Sequence, residues 1–386
     1  MELYLENGYT SLNKAGEELC GDRVKVTDDG QFTTLVLADG LGSGVKANIL
    51  STLTSTILCT MVSGGVSIEE CVDTIIQTLP VCKERGVAYA TFTVIHVDRQ
   101  GKGYMFEFDN PEAIYISGGK CRNFDRVPHK FEGKTVYITE LNLKPDEYIV
   151  TMSDGVIHAG IGMILNFGWL RKDVMEYLDK ALKPGMSARA VACLLASACN
   201  DLYLDKPGDD TTVAVVRIRE AVHVNIVVGP PVDKSKDDFY IERFLEGDAK
   251  KVVCGGTSST IVARHLGTKV KADFDFPDKE VPPIGHIDGI DLTTEGVLTL
   301  RKLVELSEKY LSHTDLTPKT FTKRDGASLL ADMLFEKATH VKFFVGQSIN
   351  AAHQGLPIDI TMKLKLVDTI SKNLKEAGKT VEVYYD

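Results

Sequence analysis

Five aspartates at four places in the first 220 residues, three of those places at the start or end of an apolar strand, restrict the possible fold more than any other feature of the chain. Asp22 follows Gly21, Asp39 precedes Gly40 at the end of the run TTLVLADG (33–40), and Asp154 precedes Gly155 at the end of EYIVTMSDGV (147–156). Asp209 and Asp210 open the β-branched run TTVAVVRIRE (211–220). Carboxylates at strand ends can converge although they are far apart in sequence, and uncompensated convergence of like charges is costly. Hard divalent cations such as Mg²⁺ or Mn²⁺ remove that cost, because they take oxygen ligands and keep several waters. The glycines allow a sharp turn and let a backbone carbonyl approach a cation. Taken singly, each Asp-Gly pair reads as a turn. Their recurrence at successive strand ends points to a metal site.

Around these positions the chain alternates short strands and helices. Helices are expected over 45–61 and 67–79, the second with Ser67 as N-cap and Glu69 and Glu70 in its first turn. Strands are expected over 87–98, 103–110 and 113–119, close enough together to favour antiparallel pairing, and a further strand pair over 134–156. A helical region then runs to about Asn200. Runs of strands beside runs of helices point to α+β. Near 219–223 the rhythm changes. VHVNIVVGPP (222–231), KKVVCGGTSSTIVARHLG (250–267) and HVKFFVGQS (340–348) each place a glycine after an apolar strand, and a helix is expected over 297–311. That is the pattern of a smaller α/β domain, so two domains are expected, 1–220 and 221–386.

With a net charge of -10 and no basic run, the chain lacks the footprint of a nucleic-acid or acidic-membrane binder. The eight cysteines include no C-x-x-C pair and most lie in apolar runs, so buried free thiols are expected. The first residues resemble no signal peptide, and no run approaches 18 uninterrupted apolar residues, from which a cytoplasmic protein is expected.

The segments NKAGEELCGD (13–22), ADGLGSG (38–44), MSDGV (152–156) and GDDTTVAVVRI (208–218), in that order, resemble the protein phosphatase 2C superfamily. The likeness is to its bacterial branch, typified by the stage II sporulation protein E phosphatases, over residues 9–220. The resemblance implies an antiparallel β-sandwich with helices outside, and two Mn²⁺ or Mg²⁺ ions per active site. It implies that Asp39 bridges both cations, Gly40 offers its carbonyl, and Asp154 and Asp209 ligate the other cation. Asp22 matches an acidic residue near the metal-bound waters, and Asp210 a supporting position. The implied activity is hydrolysis of phosphoserine or phosphothreonine in a protein by a metal-activated water. The implied partner is a phosphorylated regulator of the anti-sigma-factor antagonist kind, with homodimerisation left open. Eukaryotic-type relatives carry a histidine where Leu41 stands here, so the group that protonates the leaving oxygen is not identified. Two other readings remain: a signalling scaffold on a degenerate phosphatase fold, and a phosphatase of a small phosphorylated metabolite.

Other residues carry weaker signals. The nine histidines have no zinc-site spacing. His158, four residues after Asp154, reads as a surface or core histidine or as a cleft residue. Asn110-Pro111 reads as structural. CGGTSST (254–260) places Thr257, Ser258 and Ser259 at an expected helix start, either as phosphate donors or as an ordinary capped turn. PPIGHIDGIDLTTEG (282–296) reads as a ligand-facing loop with Asp288, Asp291 and Glu295 near His286, or as a solvated connection capped by Thr293 or Thr294.

Overall fold

The computed structural model describes residues 2–78, 90–131, 133–272, 280–312, 316–317, 321–348 and 358–386. The expected helix end at 79 and strand start at 87–89 lie outside the described residues. The chain forms two compact units, Met1–Glu220 with His313–Pro318, and Ala221–Ser312 with Lys319–Asp386.

The first unit begins with β1 (Leu3–Leu12), β2 (Asp22–Asp28), β3 (Phe32–Gly40), α1 (Gly44–Ser63) and α2 (Ile68–Thr78). It continues with β4 (Ala90–Asp98), β5 (Lys102–Phe108), β6 (Ile114–Ser117), β7 (Lys120–Arg122), β8 (Val127–Phe131), β9 (Lys134–Asn142) and β10 (Tyr148–Met152). The short helix α3 (Asp154–Ile157), then α4 (Arg171–Ala181), α5 (Ala188–Leu202) and β11 (Thr211–Glu220) complete it. Two antiparallel sheets result, ordered β1-β11-β10-β6-β7 and β2-β3-β4-β5-β9-β8.

Strand alternation explains why β3 reads as an almost unbroken apolar run. Leu35 and Leu37 face the other sheet, in a cluster with Leu5, Ile95, Met105, Ile149 and Ile218. Val36 and Ala38 face outward, under Leu58 and Val62 of α1 and Val72 and Ile75 of α2. On β11 Ala214 and Val216 point inward, while Val213 and Val215 lie under Val174 of α4 and Val191 and Leu195 of α5. Each fully buried valine, leucine, isoleucine or methionine among these contributes about 1.5–3 kcal/mol. The fold is therefore α+β, a β-sandwich with helices on both outer faces. By length and composition α1 would also pass for a membrane span, but its Ala47, Leu58, Cys59 and Val62 are buried in this unit.

Ser67 caps α2 as expected: its hydroxyl accepts from the Glu70 amide and donates to the Glu70 carboxylate. Two expected pairings do not form. β6 does not follow β5 in its sheet but pairs with β10 in the other, and β9 and β10 lie in different sheets. The first switch has a local cause. Asp109 has φ 53°, Pro111 has no amide to donate, and the buried Asn110 is tied to the Thr91 and Thr93 hydroxyls of β4, so the chain leaves the sheet there.

The second unit contains β12 (His223–Val228), α6 (Asp237–Leu245), β13 (Lys250–Cys254), α7 (Gly256–His265), β14 (Lys271–Ala272), β15 (Gly285–His286) and β16 (Leu292–Thr294). Then come α8 (Val297–Leu311), α9 (Gly326–Ala331), β17 (His340–Val345), α10 (Ile358–Glu376) and β18 (Thr380–Tyr385). The sheet order is β14-β15-β16-β13-β12-β17-β18, and the five strands from β16 to β18 are parallel. One face is covered by Leu300, Leu303, Leu330, Leu334, Val367 and Ile370, the other by Tyr240, Ile241, Phe244 and Val262. This is an α/β layer domain. The segment 282–296, read as a loop or connection, contains part of this sheet: Leu292, Thr293 and Thr294 are a buried parallel strand. Asp291 accepts from the Lys251 amide and pairs with Lys250, which makes it structural.

Candidate functional site

The sandwich brings all the singled-out aspartates of the first unit to one rim. In the β2–β3 ladder Asp22 stands directly opposite Asp39, an arrangement in which like charges repel. The turn before β2 is fixed by the Gly40 amide, which donates to the Gly21 carbonyl, and by Asn48 of α1, which donates to the Cys20 carbonyl.

The other sheet supplies Asp154 and Asp209. The Ser153 amide donates to the Thr212 carbonyl and the Ser153 hydroxyl accepts from the Thr212 amide at 2.8 Å, which locks the end of β10 to the start of β11. Asp154 then opens α3. Gly155 lies so close to β11 that a Cβ on it would stand 2.1 Å from the Asp210 carbonyl oxygen. The Asp209 carboxylate accepts from the Asp210 amide, and its carbonyl accepts from the Thr211 hydroxyl.

Asp210 has a different task from its neighbour. It is buried, its Oδ1 accepts from the Lys14 amide at 3.0 Å, and its Oδ2 would lie 2.8 Å from a Cβ on Gly21. It therefore pins the 13–22 segment against the start of β11. The Lys14 ammonium lies 3.7 Å from the Asp209 carboxylate, but both side chains are more than a third exposed, so this pair adds little to stability. His158 is exposed, with Nδ1 3.8 Å from Asp154 Oδ2, so it borders the cluster. Leu41 is half-buried.

Burial, and then the facing carboxylates of Asp22, Asp154 and Asp209, push Asp39 up to about 10. Burial pushes Asp22 to about 7, with the Ser153 and Thr212 hydroxyls opposing and Asp210 and Asp154 adding to the rise. Asp154 is raised by burial and by Asp209, while His158 and the Gly155 amide oppose. Oδ2 of Asp210 is buried without a hydrogen-bond partner among the described residues, and the buried Asp22 has only the Ser153 and Thr212 hydroxyls to set against its carboxylate neighbours. Such a set, rich in oxygen, short of donors and repelling itself, fits a hard divalent cation and suits neither a soft metal nor an anion.

Ser153, Thr212 and Lys14 hold the aspartates in place and were not singled out from sequence. Ser153 and Thr212 lie inside the quoted MSDGV and GDDTTVAVVRI segments. A serine immediately before the Asp-Gly was the available signal.

Residues 29–219 match the family model of stage II sporulation protein E. No curated protein matches the chain. Among solved structures, the chain is similar to the PP2C phosphatase domain with a fragment of the regulatory domain of SpoIIE from Bacillus subtilis, at 18% identity and TM-score 0.48. That alignment covers 56% of this chain and 64% of the other, less than two thirds of its length. RsbX in complex with magnesium aligns at 19% identity and TM-score 0.40 over 55% of this chain and 95% of its own. The SiaA-PP2C domain of Pseudomonas aeruginosa aligns at 15% identity and TM-score 0.42 over 54% and 85%.

Proposed function

We propose, from the premise that residues 29–219 belong to the stage II sporulation protein E family of phosphatase 2C-type domains, that the first unit is a metal-dependent phosphatase acting on phosphoserine or phosphothreonine in a protein. The observation that carries this reading is the convergence of Asp22, Asp39, Asp154 and Asp209 from both sheets, with Asp39 facing the other three carboxylates. A binding module gains nothing from keeping repelling carboxylates together, so the cluster weighs against a degenerate scaffold.

Asp39 would bridge two Mn²⁺ or Mg²⁺ ions, the Gly40 carbonyl would join it on one, and Asp154 and Asp209 would hold the other. When bound, such ions supply a water acidic enough to act as nucleophile near neutral pH and offset charge on the transferring phosphoryl group. The chain's own residues keep the donors in place. The paired amides and hydroxyl of Ser153 and Thr212 fix Asp154 relative to Asp209, and the β2–β3 ladder fixes Asp22 relative to Asp39. Asp210, through the Lys14 amide, holds the loop that delivers Asp22. The proposed substrate is a phosphorylated regulator of the anti-sigma-factor antagonist kind.

The test is phosphate release from phosphoserine and phosphothreonine peptides and from p-nitrophenyl phosphate. Activity is expected with millimolar Mn²⁺ or Mg²⁺ and is expected to vanish in EDTA. Full activity in chelator sinks the metal reading. Turnover of small phosphate esters with none of phosphopeptides would transfer the assignment to a metabolite phosphatase.

A paired substitution separates ligand from support. Asp209→Asn is expected to cost roughly 100-fold or more in turnover at saturating metal. Asp210→Asn keeps an oxygen that can accept from the Lys14 amide and is expected to stay within about tenfold of the unmodified chain. Equal losses would show that the adjacent aspartates are not divided in this way.

A further inference from the structure

The second unit has a rim of its own, where the parallel strands β12, β13, β16 and β17 end. The N-cap of α7 is Gly255, whose φ of 118° is a conformation that glycine tolerates and other residues rarely adopt. Glycine offers no side-chain oxygen, so the first amides of α7, on Gly256, Thr257 and Ser258, have no cap from that position and, as at any helix start, no intrahelical acceptor. A second helix start abuts the first. Gly296 is the N-cap of α8, and a Cβ on it would stand 3.5 Å from the Gly255 Cα.

Ser258 gives this helix start a specific donor. It is 2% exposed, yet its Oγ has no hydrogen-bond partner among the described residues. That oxygen lies 3.7 Å from where a Cβ on Gly255 would stand, so the hydroxyl is turned back toward the mouth of the helix. A buried hydroxyl without a partner costs about 1–3 kcal/mol unless something satisfies it. Thr257 is exposed at the same mouth. Ser259, read from sequence as a third donor, is committed elsewhere, since its hydroxyl donates to the Gly255 carbonyl at 2.8 Å. Glu295, next to the α8 N-cap, carries a competing charge, and one of its oxygens already accepts from the Leu298 amide at the start of α8. Farther along the rim, the Lys363 ammonium donates to the Gly346 carbonyl just after β17.

We propose that the α7 helix start binds the phosphate group of a small phosphorylated molecule, held by the amides of Gly256, Thr257 and Ser258 and by the Ser258 and Thr257 hydroxyls. Helix dipole and free amides favour an anion at this point. The buried hydroxyl favours a ligand with several acceptor oxygens over a halide. The rim is also the usual place for a ligand in a parallel, doubly covered sheet.

The test is calorimetric titration of the full chain, metal-free in EDTA so that the carboxylate cluster of the first unit repels anions. The probes are inorganic phosphate, AMP and ribose 5-phosphate, and the titrations are repeated on Ser258→Ala and Gly256→Pro. The unmodified chain is expected to bind at least one probe with Kd near or below about 1 mM. Each variant is expected to bind that probe about tenfold more weakly. Ser258→Ala deletes a hydroxyl that bonds to nothing, so its Tm without ligand is expected to hold or rise, and lost binding will not reflect lost fold. Gly256→Pro removes one amide at the helix position where proline is best tolerated, and the added Cβ meets nothing within 4 Å beyond the adjoining residues and the helix's own backbone. Equal affinity for all three probes identifies free phosphate as the source. Tighter AMP identifies a nucleotide, and tighter ribose 5-phosphate a sugar phosphate. Each of these upholds the site. No binding of any probe at about 10 mM, or unchanged binding in both variants, overturns it.

Discussion

An Asp39→Asn chain is expected to lose roughly 1,000-fold in turnover at saturating Mn²⁺ while becoming more stable than the unmodified chain when both are metal-free. The two effects have one cause. Asp39 is buried and faces Asp22, Asp154 and Asp209, so its ionised form is unfavourable until a cation arrives. In the unfolded chain it ionises from an ordinary value of 3.8, and in the folded, metal-free chain it holds its proton up to about 10. Between those values the folded state binds more protons than the unfolded state, so stability is greatest below the lower value and falls as pH rises toward the upper one. Asp22, raised to about 7, adds to the fall over the lower part of that window. An asparagine at 39 does not titrate. Urea midpoints measured in EDTA across pH 5–9 are therefore expected to decline less steeply in the variant, and to lie above those of the unmodified chain at the alkaline end. A variant that keeps its turnover removes Asp39 from the site. One that loses turnover but is also less stable in EDTA shows that the cluster does not repel itself as described.

The aspartates were legible because each stands beside a glycine or another aspartate at the end of an apolar run, and strand ends of a sandwich meet at a rim. What each does there was less legible. Asp209 and Asp210 are chemically identical and adjacent, and only the position of the Lys14 amide, nearly 200 residues away, separates a rim carboxylate from a loop anchor. Sheet membership was hidden for a similar reason. β5 and β6 are separated by a short link that looks like a hairpin, and the sheet switch depends on Asn110 reaching Thr91 and Thr93. In the second unit β16 has only three residues, and nothing local marks Leu292–Thr294 as an internal strand beside β13. Its partner is more than thirty residues upstream, and cross-strand contacts of that kind leave no periodic trace in so short a run.

Gly40→Ala is expected to remove activity although it deletes no carboxylate, and to destabilise the chain by roughly 3 kcal/mol. From sequence, this glycine reads as a means of bringing a carbonyl close to a cation. Its packing adds a second and stricter requirement. A Cβ at position 40 would stand 2.1 Å from the Ala47 carbonyl oxygen and 2.8 Å from the carbon bonded to it, and both belong to the backbone of α1, which cannot rotate out of the way as a side chain can. To admit a methyl group, the end of β3 and the first turn of α1 must separate. Asp39 lies one residue before that point, so the separation would pull it out of register with Asp22 across the ladder and away from Asp154. Gly42→Ala, two residues on, is the comparison. Position 42 has φ 104°, so alanine is strained there, but nothing lies within 4 Å of the added carbon, and about 1–2 kcal/mol is expected without loss of the cluster. Urea unfolding and phosphopeptide turnover, measured on both variants, separate close packing from backbone strain. If Gly40→Ala is no worse than Gly42→Ala in either measurement, the contact between β3 and α1 does not set the geometry of the site, and the placement of Asp39 must depend on the β2–β3 ladder alone.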